Sequence, residues 1–352
     1  MPDPLPRRIL IRAPNWVGDA VMSLPALHCV RQALPHAHVS ILALPWVQDL
    51  FAREPFADRI IPYHARRGAR DCAAKWETAA VLRAERFDTA LLLTNSFESA
   101  ALVFAARIPV RIGYRRDARR WLLTRAVPVP APGEIPEHQS FYYLELIRRA
   151  GWLEHLPPPA PIRLGGIDDA RKAGAARFSD LGVRLPVIGL SPGAAYGGAK
   201  RWLPERFEES AAILARAWGA SVALFGAAAE SSICQRIASG LTGAGIAAHN
   251  LAGRTSLAEF ISLAAACRVF LTNDSGSMHI ASALGVATVA VFGATNHLAT
   301  GPTGPMARTV RHPVDCSPYA NPCMRRECPI DHRCMRAVTA SEVAETALSL
   351  LK

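Results

Sequence analysis

The chain contains no apolar run of membrane-spanning length, which would need about 20 residues. Its first residues, MPDPLPRRILIRAPNW, are basic with only a short apolar run, so they read as neither a secretory signal nor a membrane anchor. Both absences point to a cytosolic protein. No G-x-G-x-x-G follows the first strand of either half, and no G-x-x-x-x-G-K-[ST] occurs anywhere. This argues against a dinucleotide dehydrogenase and a P-loop NTPase. D-x-D is missing too, so no paired carboxylates stand ready to hold a metal-bound diphosphate. Fixed cations and helix N-termini would have to neutralise a nucleotide diphosphate instead. No recognised nucleic-acid module accompanies the net charge of +11, and nucleic acid is set aside as a partner. The eight cysteines form no C-x-x-C pair, which weakens a zinc reading, and a reducing cytosol disfavours a disulfide framework.

What is present is a well-cored α/β chain. Half of the 352 residues are hydrophobic, and the length suits two domains of about 150 residues each. RRILIRA, PNWVGD, AVMSLPALHCVRQALP and HVSILAL read as strand, loop, helix and strand within the first 44 residues. Val21, Leu24, Leu27, Val30 and Leu34 give that helix its apolar stripe. A βαβ unit of this kind crosses right-handed and builds a parallel sheet. RIIPY, TALLLT and RIGYR are further strands, and after Arg125 a proline-rich loop leads to the helix HQSFYYLELIRRAG. LPPPAPIRL, at 156–164, is a stiff connector and the expected domain boundary. Beyond it PVIGLSPG, ERFEESAAILARAWG, SVALFGA, AESSICQRIASGL and LAEFISLAAAC alternate strand and helix again. The fold class expected is two Rossmann-like doubly wound α/β domains, 1–160 and 161–352, facing across a cleft where ligand binds at the strand C-terminal ends. The last helix, about 340–351, is expected to pack on the first domain.

The stretch CRVFLTNDSGSMHIASALGVATVAVF, at 267–292, says most about function. It reads as strand, tight loop, helix and strand, with Asp274, Ser275 and Gly276 at the carboxyl edge of a parallel sheet. Free N–H groups at such a helix start favour an anion, and His279 sits about one turn further in. A capped core helix with nothing bound fits the same residues. At 14–19, PNWVGD puts Gly18 and Asp19 at the first strand–helix junction with Asn15 and Trp16 on the same loop. Asp19 there is either the helix N-cap or a general base. LSPGAAYGGAKRWLPERF, at 190–207, offers a glycine-rich turn and Lys200, which suit a phosphate clamp or an ordinary surface loop. Glu230, just past SVALFGA, is placed to accept hydrogen bonds from ribose hydroxyls.

Positive charge gathers in the N-terminal half. Residues 107–125 hold seven arginines against the single acid Asp117, and RRGAR at 66–70 adds three more. Arg115, Arg116, Arg119 and Arg120 lie close together in sequence and suit an anionic surface or substrate, or form a solvated face. Cys29, Cys72, Cys234 and Cys267 read as core fillers. Cys316, Cys323, Cys328 and Cys334 crowd together with His312 and His332 in the manner of a metal knot, but the missing C-x-x-C decides against a metal.

APNWVGDAVMSLPAL, SPGAAYGGAKRW, LAGRTSL and NDSGSMHIASALG, in that order, resemble the lipopolysaccharide heptosyltransferase family (glycosyltransferase family 9, GT-B type) from end to end. PNWVGD and the late run CSPYANPCMRRECPIDHRC most resemble its members that act on a core already carrying one heptose. The resemblance implies an inverting transfer of L-glycero-D-manno-heptose from ADP-heptose to the first heptose of the anionic Kdo–lipid A inner core, with no cofactor required. It makes Asp19 the general base, with Asn15, Trp16 and Gly18 in the substrate site. Lys200 would contact the diphosphate, Ser275 and Gly276 the phosphate oxygens, and Asp274 and His279 would flank the sugar-phosphate. Glu230 matches the ribose-binding acid, Thr255 a position beside the adenine, and the 194–196 loop phosphate-contacting backbone. The four clustered arginines would hold the enzyme peripherally at the inner membrane surface beside its acceptor. The alternatives are a different acceptor (Kdo, a later core heptose or a protein) and a catalytically silent sugar-nucleotide binding module.

Overall fold

The computed structural model describes residues 5–64, 69–316 and 322–352, so Arg66 and Arg67 of the RRGAR run lie outside the described residues. The chain divides into two compact units, Met1–Pro159 and Ala160–Lys352. In the first, β1 (Arg8–Arg12), α1 (Val17–Ala33), β2 (His38–Ala43), α2 (Pro45–Phe51), β3 (Arg59–Pro62) and α3 (Ala69–Ala84) alternate. They are followed by β4 (Thr89–Leu92), α4 (Phe97–Ala105), β5 (Val110–Tyr114), β6 (Arg125–Val127) and α5 (Gln139–Arg149). The second unit runs α6 (Ile167–Asp180), β7 (Val187–Ser191), α7 (Pro204–Trp218), β8 (Ser221–Leu224), α8 (Ser231–Gly243), β9 (Ala248–Asn250) and α9 (Leu257–Ala265). It closes with β10 (Val269–Asn273), α10 (Gly276–Ala283), β11 (Ala287–Val291), α11 (His297–Thr300), β12 (Ala307–Val310), α12 (Arg333–Ala337) and α13 (Ala340–Ser349).

Each unit is built on a six-stranded parallel sheet, ordered β3-β2-β1-β4-β5-β6 in the first and β12-β11-β10-β7-β8-β9 in the second. Counted within its own unit, each sheet follows the order 3-2-1-4-5-6. The winding therefore reverses between β1 and β4, and again between β7 and β10. Crevices beyond the carboxyl ends of strands at such a reversal are where doubly wound sheets bind ligands.

The sequence explains the layers. VIGLS, VFLTN and ATVAV are buried along their whole length, as strands covered by helices on both faces must be. In α1, Val21, Leu24, Leu27 and Val30 are buried, with Leu34 just beyond its end. Pro25 removes one N–H from the middle of that helix without ending it. Packing of the buried stripe against α5 outweighs the lost bond.

Two expectations are corrected and one element is located. The last helix, α13, packs on α7, β11 and β12 of its own unit, where Val343, Ala344 and Ala347 join the second core. Its apolar stripe matches the face that α7 presents. Cys72 is exposed on α3, whereas Cys234 and Cys267 do fill core space. Ala126 and Val127, read as the start of a loop, continue from Arg125 as the edge strand β6 against β5. A three-residue edge strand offers too short a pattern for periodicity to register.

Candidate active site

Two loops leave the reversal point of the second sheet. Residues 192–200 follow β7, and a tight turn follows β10. Asn273, fully buried at the end of β10, fastens them together. Its amide donates to the Pro192 carbonyl at 2.8 Å, and its oxygen accepts the Trp202 N–H at 2.9 Å. Asp274 comes next and is almost wholly buried; Oδ2 accepts from Lys200 Nζ at 2.6 Å and from Thr295 Oγ1 at 2.6 Å. Lys200 Nζ also lies 4.7 Å from the centroid of the Tyr196 ring. The lysine is thus held in place by a fixed counter-charge instead of waving from a loop.

Ser275 is the N-cap of α10, but its side chain does not cap the helix; Oγ pairs with Thr272 Oγ1 at 3.1 Å. The first N–H groups of α10, starting at Gly276, carry the positive end of the helix dipole beside Lys200. His279 is buried within the same helix. Glu230 reaches the β7 loop through a gap left by glycine: a Cβ on Gly193 would lie 1.9 Å from its Oε1. Its other oxygen accepts the Ala227 N–H at 2.8 Å. The AGR turn is tied in beside it, Gly253 N–H donating to the Gly226 carbonyl at 2.8 Å. Thr255, just beyond, lines a cavity of about 650 Å³ with Gln235, Asn250 and Arg254.

The late cysteine-rich run straps this site down. Met324 N–H donates to the Ala294 carbonyl, Ala199 N–H to the Arg326 carbonyl, and Gly198 N–H to Glu327 Oε1. Tyr196 Oη donates to the Met324 carbonyl, and Arg326 Nε returns a bond to the Tyr196 carbonyl at 2.8 Å. Gly197 is needed because a Cβ there would meet the Arg326 carbonyl oxygen at 2.3 Å. The four late cysteines are free thiols, and no group of three His, Cys, Asp or Glu side chains arranged to hold a metal is found among the described residues. His312 turns away from them to Glu342 of α13, at 2.9 Å.

In the first unit, Asp19 is the third residue of α1, not its N-cap; Trp16 holds that position. Asp19 therefore stands in the first turn of α1, one turn inside the N-cap position the sequence offered it. Tyr143 of α5 donates its hydroxyl to Asp19 Oδ1 at 3.3 Å. The loop ahead of Asp19 rests on the buried Arg12, which donates to the Ala13 carbonyl and to Asn15 Oδ1, each at 2.6 Å, and lies over the Tyr63 ring at 4.8 Å. Burial lowers the Arg12 guanidinium to about 10. Asn15 is thereby a link in the scaffold. Trp46, which the sequence reading missed, donates Nε1–H to the Asn15 carbonyl at 2.9 Å. Trp16 and Trp46 keep 60% and 55% of their surface in solvent, large apolar areas to leave open without use.

Comparison with known proteins bears on this arrangement. The model of glycosyltransferase family 9 (heptosyltransferase) matches residues 76–333. The chain belongs to glycosyltransferase family 9. It is 33% identical over 308 residues to lipopolysaccharide heptosyltransferase 2 of Salmonella typhimurium, covering 86% of this chain and 88% of that protein. The Escherichia coli protein of the same name matches at the same identity and coverage. The solved structure of Escherichia coli ADP-heptose LPS heptosyltransferase II fits with a TM-score of 0.82 at 30% identity, over 98% of each chain. The expected family, the enzyme class and the paired α/β sheets of the GT-B fold all hold.

In this glycosyltransferase the arginine cluster is smaller than its sequence promises. Arg119 is fully buried and donates to the Tyr114, Thr94 and Ser96 carbonyls and to Ser99 Oγ. Burial lowers its guanidinium to about 10. It is a strut beneath the loop after β4, and no basic surface includes it. Arg111 also turns inward, to the Leu122 carbonyl. Arg115, Arg116 and Arg120 remain exposed, with Arg120 5.6 Å from the centroid of Trp121, itself 85% exposed. Spacing along the chain gave no sign of which arginine turns inward, because that depends on the carbonyls gathered at the β4 loop.

Proposed function

We propose that this enzyme transfers L-glycero-D-manno-heptose from ADP-heptose to the first heptose of the Kdo–lipid A inner core, inverting the anomeric carbon. The reading is carried by the likeness to heptosyltransferase 2 proteins over most of both chains. The donor's diphosphate takes the α10 N-terminus and Lys200, which together replace the metal that a D-x-D site would supply. Lys200 keeps Asp274 as its partner, so the pair orients the leaving phosphate without adding a loose charge. Glu230 accepts from the ribose hydroxyls, and Thr255 flanks the adenine. Asp19 accepts the proton of the attacking acceptor hydroxyl as the new glycosidic bond forms and ADP departs. The test is to offer ADP-heptose with cores ending in Kdo, in one heptose and in two. Product from the single-heptose core alone is expected, and product from the Kdo core alone would move the enzyme one step earlier.

The exposed Arg115, Arg116, Arg120 and Trp121 form a second element of the proposal: a peripheral, cytoplasmic-side contact with the anionic inner membrane surface where the acceptor resides. Each basic residue near such a surface contributes on the order of 1 kcal/mol, and an interfacial Trp adds an amphipathic anchor. Co-sedimentation with anionic vesicles should fall with added salt and in a variant with the three arginines changed to Ser. No helix among the described residues is long and apolar enough to cross a membrane.

A further inference from the structure

We propose that Tyr143 is the positioning residue of the general base, holding the Asp19 carboxylate in the orientation that receives the acceptor proton. The inference rests on the reading of Asp19 as base and extends it to a helix 124 residues further along the chain. α5 packs along α1, and Tyr143 projects from its buried face to place Oη 3.3 Å from Asp19 Oδ1. The ring is nearly inaccessible, with Tyr142 standing edge-on to it at 6.0 Å between centroids. The side chain of Gln139, one turn earlier on α5, also hydrogen-bonds the phenol.

This setting fixes what the phenol can do. Burial, with the charge of Asp19 added to it, holds the Tyr143 hydroxyl well above the ordinary tyrosine value, so it stays protonated and stays a donor. A neutral donor against a carboxylate withdraws no proton from the reaction. It restricts rotation of the carboxyl group about its terminal torsion, which is otherwise broad. Aspartate in the first turn of a helix is common and needs no such partner. A buried phenol brought from a distant helix to one carboxylate oxygen has no comparable structural necessity. A base misplaced by a fraction of an ångström loses rate while substrate still binds.

The experiment is a double-mutant cycle on the full-length enzyme with ADP-heptose and the single-heptose core. Tyr143→Phe should lower kcat by about 10- to 100-fold with the KM for ADP-heptose unchanged and the thermal melt close to the parent's. Placed in the Asp19→Asn background, the same change should cost nothing further, because the group it positions is gone. Equal losses in both backgrounds, or full activity in Tyr143→Phe while Asp19→Asn is impaired, would overturn the proposal and leave the base reading standing. Full activity in Asp19→Asn overturns the base reading itself and the proposal with it. If the phenylalanine variant does not fold, Gln139→Leu frees the phenol from its second partner and is read by the same cycle: a kcat loss confined to the Asp19 background supports positioning, and an equal loss without Asp19 refutes it.

Discussion

The two sheets wind in the same order, yet their reversal points carry opposite chemistry. In the second unit every charged side chain at the point has a partner of opposite sign or a backbone group: Lys200 has Asp274, and Glu230 has the Ala227 N–H. What is left to act on a ligand is a helix start and a clamped ammonium, a combination suited to phosphate. In the first unit the loop after β1, seated on the buried Arg12, leads to the Asp19 carboxylate. It carries one exposed indole, Trp16, while a second, Trp46, bonds to it, a combination suited to a hydroxylated ring and its proton. Each unit also carries a buried staple for its loops. Asn273 does this in the second, and Arg119 does it in the first by reaching the carbonyls after β4. Strand order therefore sets where the loops converge, and the loop residues set the chemistry they offer.

The largest way to break this contrast is Asp19→Asn. It should lower turnover by about 10²–10⁴-fold with the ADP-heptose KM unchanged, measured by steady-state kinetics on both substrates. Arg119→Ala comes next: it strands several buried carbonyls and should destabilise the first unit by about 3–5 kcal/mol in urea unfolding. A mere loss of salt-sensitive acceptor binding in that variant, with stability intact, would return Arg119 to the surface cluster. Lys200→Ala should raise the ADP-heptose KM by roughly 10–100-fold, the scale of one charge-assisted hydrogen bond, and leave the acceptor KM alone.

Smaller effects sharpen the first unit. Burial raises the Glu145 carboxyl, but hydrogen bonds from Arg148 and Arg149 outweigh it and hold the group below its ordinary value. Its contribution is complete above the unfolded value of 4.5 and drains away as pH falls through the lower folded value. Glu145→Gln should therefore cost about 2 kcal/mol at neutral pH, a cost that shrinks steadily as pH is lowered below 4.5, read by denaturant melts of parent and variant. Trp46→Ala should have the least effect: a rise of a few-fold in the acceptor KM, from about 1 kcal/mol of lost ring contact, with donor kinetics unmoved. An equal rise for both substrates would tie Trp46 to loop structure alone.

Much of the fold was legible because its signals are local. The buried runs VIGLS, VFLTN and ATVAV, the stripe from Val21 to Val30 and the proline connector each act over a few residues. The loops of the site were legible for the same reason: small residues and Lys200 between strand and helix, and NDSG before α10. Tyr143, Trp46, Thr295 and Asn273 were not. Each sits in an unremarkable context, and its role comes from a group far along the chain: Asp19, Asn15, Asp274 and Pro192.

The sequence by itself determined the alternation of strand and helix, the two parallel sheets and the order of the motifs that mark the family. Those follow from hydrophobic periodicity and turn chemistry, which are written in neighbouring residues. Only the tertiary structure decided that Lys200 is paired, that Asp19 meets Tyr143, that Arg119 is a strut and that the last helix packs on α7. Each of these depends on which polar atom is brought within about 3 Å of which other, and that distance is set by packing between elements that the chain separates by tens to more than a hundred residues.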